Sequence, residues 1–139
     1  FLHDDLNLQL GDLGLAHLAD RSTLTQKGEF FGTPDYLAPE LLKGGRSSVQ
    51  TDMYALGVTL FELATGRRPF EGESAEAVAH QRATSSPPSL QSIRPDVPKP
   101  VDVLVLRLLE QEPRDRYAGY AELMADIEIA LRSTGPVAR

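Results

Sequence analysis

The chain has no cysteine and no tryptophan among its 139 residues, and only 6% of them are aromatic. Without cysteine there is no disulfide staple and no zinc–thiolate site, a composition that suits a reducing compartment. The three histidines, His3, His17 and His80, are scattered without metal-ligand spacing and read as surface or capping groups. No run of Lys and Arg forms a basic footprint. A net charge of −6 and a pI near 5.0 argue against nucleic acid as a partner. No apolar run reaches the roughly 18 residues that a bilayer span requires, and the start carries no signal-peptide pattern.

What is present suits a folded core: 41% of the residues are hydrophobic, enough for one compact domain or part of a larger one. Residues 5–10, Asp-Leu-Asn-Leu-Gln-Leu, alternate strictly and predict a strand with one buried face. They run into Gly11-Asp12-Leu13-Gly14 and then a polar stretch to Gly28, a long loop of the kind that is usually functional or mobile. Residues 51–65 carry apolar side chains on almost every side and predict a helix buried all round, stopped by Gly66. Residues 75–83 suggest a shorter helix. Six of the ten prolines fall within residues 87–113, which predicts extended connectors there. Val101, Leu104, Val105, Leu108 and Leu109 form one apolar stripe, and Leu123, Met124, Ile127, Ala130 and Leu131 another, at helical spacing. A short strand segment followed by a mostly helical body is the coarse expectation.

The stretch "FFGTPDYLAPE", residues 30–40, fits neither period, because turn-formers interrupt it twice. By itself it is either an ordinary loop or a surface that holds something extended. It stands in order with "GDLGLA", "TDMYALGVTLFELATGRRPF" and "EPRDRY". Each piece is weak, since Asp-x-Gly is common, but four of them at compatible separations are specific. The set resembles the C-terminal lobe of a protein kinase, closest in style to the bacterial eukaryotic-like Ser/Thr kinases, over residues 1–131.

The resemblance implies a mainly α fold, a kinase-like C-lobe with a short β-hairpin or strand segment at the N-terminus. It implies a partial kinase domain over residues 1–133 and a tail over 134–139. ATP and Mg2+ are the implied cofactors, with Asp12 as the metal acid and Gly14 as the turn beside the nucleotide. Taken by itself, Asp12 reads better as an acid in a strand-ending turn, and it is the other motifs that reverse this; Leu13 stands where the family usually has Phe. The polar stretch becomes an activation loop with Thr23 and Thr25 as phosphoacceptors; a solvated Ser/Thr loop is the plainer alternative. Gly32, Thr33, Pro34 and Tyr36 are implied to carry the protein substrate, and Thr33 favours Ser/Thr over Tyr acceptors. Three residues are implied to be structural: Glu40 paired with Arg116, and Asp52, which heads its helix and anchors the catalytic loop.

The same resemblance makes some gaps conspicuous. No Gly-rich phosphate loop, strand lysine or His-Arg-Asp loop occurs in these residues, so no catalytic acid is assigned. The expectation is an incomplete kinase domain that is inactive by itself and whose partners are Ser/Thr protein substrates and an N-terminal lobe of the same kinase. The expected location is cytoplasmic, with any membrane anchor outside this chain. A pseudokinase or scaffold lobe that binds proteins is the alternative function.

Overall fold

Eight short turns and helices follow from capping and packing signals in a computed structural model that describes residues 34–133. In chain order they are a 3₁₀ turn at Pro34–Tyr36, then α1 (Pro39–Leu42), α2 (Val49–Thr65), α3 (Ala75–Thr84), α4 (Leu90–Ile93) and α5 (Lys99–Leu108). A second 3₁₀ turn at Pro113–Asp115 and α6 (Tyr120–Ser133) complete the order. Among the described residues there is no strand, and the architecture is helical. The strand expected at residues 5–10 lies outside the described residues.

The longest helix, α2, is set at both ends. The Ser48 hydroxyl accepts the Thr51 N–H at 3.3 Å, and the Thr51 hydroxyl accepts the Ser48 N–H at 2.9 Å. This reciprocal pair satisfies two donors that a helix start leaves orphaned. At the far end Gly66 has φ 76°, a left-handed conformation that a side chain would strain. Met53, Tyr54, Val58 and Phe61 bury one face of the helix.

Helix α2 is not buried all round, contrary to what its apolar pattern predicts. Leu56 and Leu63 are 38% and 77% exposed, and Val49 and Asp52 are exposed beside them. At 100° per residue these four positions fall on one stripe, opposite the buried one. An all-round apolar pattern does not tell which stripe finds a partner.

Helix α5 supplies the other half of the core through Leu104, Val105 and Leu108, with Leu109 just beyond its end. Its approach to α2 is close at Gly57, where an added Cβ would lie 2.8 Å from Leu108 Cβ. The proline-rich connector is more structured than expected. It contains α4, and Pro100 sits in the first turn of α5, where a missing N–H costs nothing. Asp102 joins the two helices from a fully buried position. It accepts the Ser89 hydroxyl at 2.9 Å, the Leu90 N–H at 2.8 Å and Lys99 Nζ at 2.8 Å. Burial by itself would push its carboxyl up, but the bonds from Lys99, Ser89 and Leu90 together hold it below the usual carboxylate range.

The stripe expected on α6 is narrower in the structure. Leu123 and Ala130 are buried and Ile127 is half-buried, whereas Met124 and Leu131 are exposed. Polar groups add to this docking. The Arg107 guanidinium lies 4.2 Å from the Tyr117 ring centre and bonds Glu122, while Tyr117 donates its hydroxyl to Asp126 at 2.8 Å.

Candidate substrate-positioning site

Pro34 has a fixed φ and starts the 3₁₀ turn, which side chains from three later segments hold. From α2, Glu62 accepts the Tyr36 hydroxyl at 2.5 Å, and that bond raises the phenol above its ordinary pKa. From the turn after α2, Arg68 forms an ion pair with the Asp35 carboxylate. From α3, the buried Arg82 donates Nη1 to the Leu37 carbonyl at 3.1 Å and Nη2 to the Asp35 carbonyl. A cleft of about 250 Å³ opens beside the turn, lined in part by Asp35, Arg68, Phe70, Glu71 and Val78.

Directly after the turn the chain is anchored again. Ala38 and Pro39 are buried and begin α1, which places Glu40 against Arg116. Arg116 Nη1 lies 2.7 Å from Glu40 Oε1 and Nη2 lies 2.8 Å from Oε2, a two-pronged pair. The remaining donors reach the carbonyls of Glu110 at 2.8 Å, Gln50 at 2.8 Å and Gln111 at 3.1 Å. Five guanidinium N–H groups therefore meet five acceptors, and the buried cation is fully solvated by protein. The Tyr54 ring lies beside it, 4.9 Å from centroid to guanidinium carbon. Burial pushes the Tyr54 phenol up to about 12.

Of the residues singled out in the sequence, Pro34 and Tyr36 lie in the supported turn, and Glu40 and Arg116 are brought together across 76 positions. Asp52 stands apart from both, exposed in the first turn of α2. Asp12, Gly14, Thr23, Thr25, Gly32 and Thr33 lie outside the described residues. The sequence reading missed Asp35, Glu62, Arg68 and Arg82. Glu62 could have been found as the one acid between Phe61 and Leu63 in an apolar helix, but Arg82 gives no local signal. Among the described residues no group of three His, Cys, Asp or Glu could hold a metal ion. No helix there is long and apolar enough to cross a membrane.

A helical lobe that fixes an irregular turn from three sides, next to a buried arginine–carboxylate anchor, defines a class that displays a loop on a rigid base. A comparison with protein families matches the protein kinase domain to residues 1–126, and the chain belongs to that family. It is similar to the probable serine/threonine-protein kinase PknB of Lactococcus lactis, 37% identical over 120 residues, 86% of this chain and 19% of that protein. It is also similar to the serine/threonine-protein kinase PrkC of Bacillus subtilis, 37% identical over 124 residues, 89% of this chain and 19% of that protein. The serine/threonine-protein kinase Pkn1 of Myxococcus xanthus is 42% identical over 123 residues, 86% of this chain and 18% of that protein. The chain thus spans about a fifth of the length of these relatives.

Proposed function

We propose that this chain is the substrate-carrying part of a serine/threonine protein kinase whose full-length protein moves the γ-phosphate of ATP to Ser or Thr of other proteins. The observation that supports this reading best is the turn Pro34–Tyr36, fixed by Glu62, Arg68 and Arg82 and followed at once by the Glu40–Arg116 anchor. Phosphoryl transfer depends mainly on positioning, and a turn whose shape is set before the substrate arrives lowers the ordering cost of docking. In this reading Gly32, Thr33, Pro34 and Tyr36 meet the polypeptide, with Thr33 selecting a hydroxyl of Ser or Thr. Asp12 and Gly14 are the positions assigned to Mg2+ and ATP, and a carboxylate oxygen is a suitable donor for so hard a cation. The bound nucleotide supplies the phosphoryl group; the described residues hold the acceptor protein. Thr23 and Thr25 are the assigned sites at which phosphorylation would regulate the lobe, and Asp52 is assigned to hold the catalytic loop. We place the lobe in the cytoplasm, where ATP is available, within one kinase domain that includes residues 1–133.

The test is transfer of labelled γ-phosphate from ATP by the full-length protein, followed by identification of the modified amino acid. Phosphoserine or phosphothreonine is expected, and phosphotyrosine as the main product would contradict the assignment of Thr33. The 139 residues by themselves contain no phosphate loop, strand lysine or His-Arg-Asp loop, and are expected to transfer none.

A further inference from the structure

Arg82 is a charged side chain with only 3% of its surface exposed, projecting from α3 far from the motifs that mark the family. Burying a guanidinium is costly unless its donors are met. Two of its nitrogens meet the carbonyls of Asp35 and Leu37, which lie two residues apart and bracket Tyr36. One planar group that binds both carbonyls restricts the backbone between them, because rotation at Tyr36 or Leu37 would swing one oxygen away. The other buried residue of α3 is Val78, which lines the neighbouring cleft.

We infer that Arg82 is a positioning residue for the kinase reaction: by clamping the Asp35 and Leu37 carbonyls it holds the turn Pro34–Tyr36 in the shape that accepts a protein substrate. The inference rests on the function proposed above. It assigns α3 a task in substrate binding that none of the sequence motifs carries. Arg82 does not touch the reacting atoms. Its effect falls on the ordering cost of the peptide and therefore on substrate affinity.

The experiment uses the full-length protein with Arg82→Gln and Arg82→Lys. Peptide substrate is titrated at saturating ATP, and backbone hydrogen exchange is followed by mass spectrometry. Gln loses the charge and the second prong, and Lys keeps the charge without the planar fork. The peptide KM is expected to rise about tenfold in Arg82→Gln and less in Arg82→Lys, with kcat and the ATP KM within about twofold of the parent. Faster exchange is expected at residues 35–38 and not in α2 or α5. An unchanged peptide KM would overturn the inference. So would a parallel loss in kcat, ATP KM and exchange protection across the lobe, or failure of both variants to fold, since each marks a purely structural role. If the parent phosphorylates no protein, the kinase reading fails on its own, and the exchange data still decide whether Arg82 holds the turn.

Discussion

Arg116 and Asp102, like Arg82, are buried charges, and each is satisfied by several bonds that include partners from other segments of the chain. Replacing Arg116 with Ala would leave the Glu40 carboxylate and three carbonyls without their donor. A loss of about 3–5 kcal/mol is expected in urea unfolding of the kinase domain. Arg116→Lys should recover only part of it, because an ammonium cannot serve five directions. Asp102 makes a prediction about acid. Its folded-state carboxyl lies below the ordinary value, so its contribution is fully present above the unfolded pKa of about 4 and is lost as pH falls through the lower folded value. Asp102→Asn can be compared with the parent in acid unfolding curves. The substitution is expected to flatten the loss of stability that sets in below about pH 4, and an unchanged slope would contradict the assignment. At this scale the sequence was readable only in part. The Glu40–Arg116 pair follows from the family resemblance, because two motifs mark it. Asp102 and Arg82 sit singly inside helical patterns, and a lone charge gives no period or spacing from which burial can be inferred.

Helix ends are easier to read from the sequence than helix faces. Gly66 was a visible stop, and its positive φ shows why. Gly66→Ala is expected to cost about 1 kcal/mol and to lower the melting temperature of the kinase domain by about 4 °C in calorimetry. Gly57→Ala should cost more, about 1–3 kcal/mol, since the new methyl would meet Leu108 and Leu109 within 2.8–3.2 Å and force α2 and α5 apart. If Gly57→Ala proved neutral, the close approach of these helices would not be needed. The all-round apolar pattern of α2 was misleading because side-chain type fixes what can be buried, while partners decide what is buried. The proline-rich connector misled for the opposite reason. Proline breaks a helix interior but starts a helix well, and the start of α5 is an instance.

At the scale of the molecule, eight large apolar side chains are exposed among the described residues: Val49, Leu56, Leu63, Val103, Tyr120, Met124, Ile129 and Leu131. Exposed apolar surface of this kind favours association. Residues 1–139 purified without further sequence are expected to sediment as mixed oligomers, and the double substitution Leu56→Ser, Leu63→Ser should shift them toward monomer. A monodisperse monomer before substitution would contradict this. The family was legible in the sequence because its motifs are ordered along the chain, and the helical architecture was legible because α2, α3, α5 and α6 each carry period or caps. The supports of the turn were not, since Glu62, Arg68 and Arg82 converge only after α2 and α3 have folded back on residues 34–37. The central claim is that the full-length protein moves phosphate from Mg-ATP to protein hydroxyls and uses this lobe to do so. It is tested most directly by measuring labelled phosphate transfer to a Ser/Thr protein substrate by the full-length protein and by its Asp12→Ala variant. The account predicts robust transfer by the first and a loss of more than about a hundredfold in the second. Equal transfer by both, or none by either, would contradict it.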